Sequence, residues 1–204
     1  MNASNFRNAS FNAAPSQQGG IGLIEVMIAV LVFAIGGLGL MAMQVTAKRT
    51  LYEATQRSIA TGLARDVIER MRSNRGQIGA YVVNEIGDEA SPLATPGTNC
   101  GSASCTPAQL ATFDLADWET LLMGGAEQSG GKNAGGLVSP RACITVNGRN
   151  VTVAIAWLGV SSSTNPGESN CGQGIAGLYD DPDEAAGNNL RRRVMVMTTY
   201  IGST

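Results

Sequence analysis

Four groups of residues could in principle carry chemistry. The first is Glu25, the only charged side chain in the apolar run Ile21 to Met43. A carboxylate held among lipid tails costs about 2.5 kcal/mol or more at a helix centre, so it persists where it has a partner and a task. The second is the set of four cysteines, Cys100, Cys105, Cys143 and Cys171, which could form disulfides or ligate zinc. The third is the acidic stretch holding Asp180, Asp181, Asp183 and Glu184. It could attract calcium, but it lacks the alternating ligands and central glycine of a calcium loop, so it reads as a solvated acidic loop. The fourth is the pair Asp114 and Asp117, which could be imagined as an acid–base pair. At the front of the apolar-faced segment "DLADWETLL" they read instead as an N-cap and the acidic half of a capping box.

Several function classes drop out at this level. The chain contains no histidine, which removes the commonest general base and zinc ligand. No nucleophile stands beside a base, and no glycine-rich phosphate loop follows a strand, so no catalytic residue, cofactor or metal is expected. The net charge of -2 gives no reason to expect a nucleic-acid partner.

The segments around Glu25 must position it. Residues 1–20 are polar, with Arg7 as the single charge. The small residues Gly19 and Gly20 precede the apolar run, the reverse of a secretory signal peptide, in which they follow it. As a helix the run would be about 35 Å long at about 1.5 Å per residue, enough to cross a hydrocarbon core of about 30 Å. A cut after Gly20 would give Ile21 a free amine four residues before Glu25 and on the same helical face. The amine and the carboxylate, each costly alone in lipid, would then neutralise one another within one chain or between neighbours.

At these residues the sequence resembles the type IV pilins and the pseudopilins of type II secretion. "GG-IGLIEV" is similar to their class III signal: glycine, a hydrophobic residue, a short apolar stretch and glutamate at the fifth place. It departs from the usual pattern in having Ile21 where phenylalanine is common, and a single basic leader residue, Arg7. The resemblance implies that a prepilin peptidase cuts between Gly20 and Ile21, that Ile21 is N-methylated, and that Glu25 steers the subunit into the filament. "GGLGL" (36–40) and Gln44, with the "DL..W...L" helix ahead of a hairpin, resemble more particularly the minor pilins of the PilV kind, the type IV pilus modification proteins.

Beyond Met43 the pattern turns amphipathic without a proline, and one helix is expected from Ile21 to Arg75 with Gly76 as its C-cap. Gly36, Gly37 and Gly39 lie within its apolar half, as close-packing positions or as a stretch that can loosen. Residues 91–112 read as loop, and Asp114 to Leu122 as a helix stopped by Gly124 and Gly125. Asn147-Gly148 marks a hairpin between strands at about 141–146 and 150–158, and a third strand is expected over 191–201. Arg191 to Arg193 read as charged protection of a strand edge. The expected fold class is α+β: a pilin-like fold with a long N-terminal α-helix packed on a small antiparallel β-sheet. The expected parts are a prepilin leader (1–20), a transmembrane half-helix (21–43), an amphipathic half-helix (44–75) and a periplasmic globular domain (76–204).

The resemblance also implies an orientation, with the leader cytoplasmic and the domain periplasmic, first in the inner membrane and then in the pilus at the cell surface. In that oxidising compartment four cysteines read as two disulfides, with three possible connectivities. Cys100–Cys105 and Cys143–Cys171 are the favoured pairs, and zinc is the competitor. The implied partners are the prepilin peptidase, other minor pilins, the major pilin, the inner-membrane assembly platform and membrane lipid. The implied role is that of a minor type IV pilin priming assembly at the pilus tip. Two alternatives stay open: a minor pseudopilin of type II secretion, and, of another class, a membrane-anchored periplasmic ligand-binding or enzymatic module.

Overall fold

The computed structural model describes residues 20–202. Of the expected leader, all but Gly20 lies outside the described residues. The chain divides into two compact units, 1–46 and 47–204.

The first unit consists, in its described part, of Gly20 to Gly22 followed by the first half of helix α1 (Leu23–Ser73). Its large apolar side chains are open, Leu23 at 82% and Phe33 at 83% exposure. The helix runs unbroken through Gly36, Gly37 and Gly39, none of which has a heavy atom near the position of a Cβ. α1 is long and apolar enough to cross a membrane.

The second unit is built on the remainder of α1. Its buried side chains Gln56, Ala60, Ala64, Val67, Ile68 and Met71 recur every three or four residues and form one stripe. Ala60 and Ala64 are fully buried, and their small size lets neighbouring elements approach the helix backbone. Trp118, on helix α2 (Pro107–Leu122), is equally buried and donates its Nε1 hydrogen to the Leu63 carbonyl at 2.9 Å. A four-stranded antiparallel sheet completes the core, in the order β1 (Val83–Ile86), β4 (Arg141–Asn147), β5 (Asn150–Leu158) and β6 (Arg192–Tyr200). Its inner face carries Ile144, Val151, Val153 and Ile155, all fully buried. Two short strands, β2 (Gln128–Ser129) and β3 (Lys132–Asn133), form a separate hairpin. A long helix with a small antiparallel sheet is the expected α+β architecture.

Asn147 pairs with Asn150, and Gly148 takes the left-handed φ of +61° that the two-residue turn demands. Three local expectations are corrected. α1 stops at Ser73, and Gly76 lies inside a 3-10 helix (Arg75–Tyr81) instead of capping α1. α2 starts seven residues before Asp114, at Pro107, so residues 107–112 are helix and not loop. Its N-cap is Thr106, whose side chain accepts from the Gln109 N–H while the Gln109 carboxamide accepts from the Thr106 N–H. That reciprocal cap, with Pro107 in the first turn, is the stronger start signal, so Asp114 and Asp117 fall inside the helix.

Candidate functional site

α1 begins at Leu23, where the Gly22 carbonyl accepts from the Glu25 N–H at 2.9 Å and the Val26 N–H at 3.3 Å. Gly20 and Ile21 therefore lie ahead of the helix, on exposed backbone. Among the described residues, a Cβ at position 20 would meet no atom within 4 Å.

Glu25 sits in the first turn of α1, where unpaired backbone N–H groups and the helix dipole favour a negative charge. Ile21, Glu25, Val26, Ala29, Val30 and Phe33 line one shallow, mainly apolar cleft, so Ile21 and Glu25 share a side of the segment. Among the described residues Glu25 has no ion-pair partner. Breaking the Gly20–Ile21 bond would create a cation beside it, and that one scission would change the electrostatics of the entire apolar segment.

The polar groups of the second unit do a different job. Arg70 on α1 reaches Asp66 at 2.9 Å, Asp117 at 2.7 Å and Asp114 at 3.5 Å. Burial alone would lower its pKa, but Asp117 and Asp66 outweigh that and raise it. Asp114 accepts the Tyr81 hydroxyl proton at 2.5 Å, and Asn74 donates to Tyr81 Oη at 3.3 Å and to the Pro107 carbonyl at 2.7 Å. Burial, then the bond to Asp114, pushes the Tyr81 phenol well above the ordinary tyrosine range. Asp114 and Asp117, expected as caps, instead fasten α2 to α1, and Asp114 also ties it to the 3-10 helix.

Glu119, 2% exposed, accepts from the Gly87 N–H at 2.8 Å and the Leu93 N–H at 2.6 Å, holding the chain after β1. Arg141 is buried between Glu85 and Asp88 and donates to the Gly87 carbonyl at 2.7 Å. Arg192 is fully buried. Its guanidinium donates to the carbonyls of Pro166, Ser169 and Cys171 and to Asn165 Oδ1. The reading of Arg191 to Arg193 as simple edge protection is therefore corrected at Arg192, which is a latch for the long loop between β5 and β6. The sequence gives no sign of this, because a buried arginine is unexpected in a run of three.

The same loop is tied to β4 by Cys143–Cys171, while Cys100–Cys105 closes a small turn before α2. In the acidic stretch the carboxylates cap turns: Asp180 accepts from the Gly187 N–H at 2.7 Å and the Asn189 N–H at 2.9 Å. Those bonds, from Asn189 first, lower its pKa, and Ser162 does the same for Asp181.

Two family models match the sequence. A prokaryotic N-terminal methylation motif covers residues 15–41, including Gly20, Ile21 and Glu25. A family described as type IV pilin Tt1218 covers residues 42–116, including Arg70, Tyr81 and Asp114. The two abut and together span residues 15–116, half of the chain. No curated protein and no solved structure gives a significant match.

Proposed function

Because the chain belongs to the type IV pilin superfamily, we propose that it is a minor pilin, cut by the prepilin peptidase after Gly20 and methylated on Ile21. Before the cut, residues 1–20 are cytoplasmic; the mature chain then waits in the inner membrane through the first half of α1, with the second unit periplasmic. From there it joins other minor pilins to prime assembly, and it sits at the pilus tip. It is a structural subunit and not an enzyme.

The observation that carries this reading is the arrangement at the start of α1. An exposed glycine stands directly before Ile21, and Glu25 lies on the same side as Ile21 in the first helical turn. Cleavage would convert the Ile21 nitrogen into an ammonium close to the Glu25 carboxylate. In lipid, where isolated charges are costly, an amine on one subunit and a carboxylate on its neighbour favour pairing in a fixed axial register. The resemblance of 36–40 and Gln44 to the minor pilins of the PilV kind supports the minor role.

The test is Glu25→Ala in cells that assemble pili. Cleavage and methylation should proceed, since Glu25 lies beyond the scissile bond, while recovery of the subunit in sheared pili should fall to background. Normal recovery would remove Glu25 from the assembly step. A companion deletion should impair pilus-dependent motility and leave protein secretion intact; the reverse outcome would reassign the chain to type II secretion.

A further inference from the structure

The two edges of the four-stranded sheet are unlike one another. β1 is four residues long, its register slips between Val83 and Ile86, and its Glu85 is ion-paired with Arg141. These are the means by which a sheet edge is made unattractive to other strands. β6 has none of them over most of its length. It holds an unbroken register with β5 for nine residues, and Val194 to Tyr200 contains neither charge nor proline.

The direction of its free groups follows from two bonds. The Ile201 N–H donates to the Arg149 carbonyl at 2.9 Å, and the Gly159 N–H to the Arg191 carbonyl at 2.7 Å. The odd-numbered residues of β6 therefore face β5, and Val194, Val196, Thr198 and Tyr200 direct their N–H and C=O groups outward. Among the described residues no strand pairs with that side. Val196 and Tyr200 are also exposed, Tyr200 at 65%.

The end of the sheet at which β6 stops is basic. Arg72 donates to Thr199 Oγ1 at 3.0 Å, and Arg149 donates to the Arg75 carbonyl at 3.2 Å, so three arginines gather where β6 ends. Arg72 is paired with Glu69, but among the described residues Arg75 and Arg149 have no carboxylate partner. A neutral strand edge that ends near two guanidiniums with no carboxylate partner among the described residues is complementary to an extended, uncharged segment with acidic residues at its end.

We propose that the outer edge of β6 is a docking site for such a segment from another pilus subunit, which adds a fifth strand beside Val194 to Tyr200 and sets its acidic end against Arg75 and Arg149. The backbone supplies the affinity and the arginines supply choice of partner. This rests on the pilin reading for the identity of the partner.

The test uses the full chain in detergent micelles. The probe is a synthetic peptide of alternating valine and threonine with glutamates at both ends; its control carries lysines instead. The acidic peptide should bind roughly fivefold tighter than the basic one at low salt, a margin that shrinks as salt rises. Val196→Pro removes one outward N–H without touching the β5 ladder and should abolish binding, whereas Val196→Thr should retain it. Should the proline variant misfold, Arg149→Glu provides an independent reading, with the preference shifting toward the lysine peptide. Absence of binding by both peptides, or binding indifferent to Val196→Pro and Arg149→Glu, overturns the site. Self-association of the full chain that Val196→Pro abolishes would make a second copy the occupant and overturn the choice of partner. The N-terminal mass of the same preparation separates the two levels. A methylated Ile21 with no peptide binding overturns only the docking site; a chain not cut after Gly20 overturns the pilin processing beneath it.

Discussion

Tyr81 donates its hydroxyl proton to Asp114 across 2.5 Å, and the other oxygen of the same carboxylate lies 3.5 Å from Arg70. One carboxylate therefore joins three elements: α1 through Arg70, the 3-10 helix through Tyr81, and α2 on which it stands. Tyr81→Phe would leave a buried acceptor short of a donor and should lower stability by about 1–3 kcal/mol. Thermal unfolding of the variant against the parent measures it; a change below about 0.5 kcal/mol, the usual range of an inert surface substitution, would mean the bond contributes little.

The same residue sets an alkaline limit. Burial pushes the phenols of both Tyr81 and Tyr179 above the ordinary tyrosine value of 10.0. A raised folded-state pKa means the neutral form is favoured in the folded chain. Its contribution is complete below the unfolded value and is lost as pH rises through the folded one. Melting temperature should thus decline above about pH 10, where unfolded tyrosines ionise. The decline should be shallower in Tyr81→Phe and Tyr179→Phe; an unchanged slope in both would contradict it.

At the acid end the signs reverse. Asp180 is held below the ordinary carboxylate range by the N–H groups of Asn189 and Gly187. Its contribution is present above the unfolded value and lost as pH falls through the folded one. Hydrogen exchange at Gly187 and Asn189 should be protected near neutrality and lose protection on acidification, and Asp180→Ala should lose it at every pH. Protection indifferent to both would show that the loop is ordered by other contacts.

Cys143–Cys171 and Arg192 are two of the ties that hold the long loop between β5 and β6. A disulfide closing 28 residues is worth roughly 3.5 kcal/mol by loop entropy, against roughly 2 for the five-residue Cys100–Cys105 loop. Replacing the first pair by alanine should accordingly cost more than replacing the second. Arg192→Lys should also destabilise, because a single ammonium cannot serve the carbonyls of Pro166, Ser169 and Cys171 that the forked guanidinium reaches. Equal losses from the two disulfides, or a neutral Arg192→Lys, would count against this account of the loop.

Which parts could be read in advance follows from how local each signal is. The β4–β5 hairpin is written in Asn147-Gly148 and the alternating residues around it, so its strands fall within a residue of expectation. The start of α2 is equally local, in the Thr106/Gln109 pair, but sits in a stretch of serine, threonine and proline whose composition suggests loop. Asp114 itself could not be placed, because its partners Arg70 and Tyr81 are 44 and 33 positions away, a separation that only the fold closes. Arg192 is harder still, since its partners are backbone carbonyls, which any sequence possesses. β1, β2 and β3 are too short to show a period. The apolar run and the N-terminal motif were legible because both are patterns of order along the chain and need no tertiary contact.

The central claim is that Gly20–Ile21 is the scissile bond and that Glu25 awaits the amine it releases. Mass spectrometry of the mature N-terminus from membranes and from sheared pili tests this most directly. The account predicts a chain that begins at Ile21, lighter by residues 1–20 and carrying one methyl group on its α-amine. A mature chain still carrying residues 1–20, or one cut anywhere else, would contradict it.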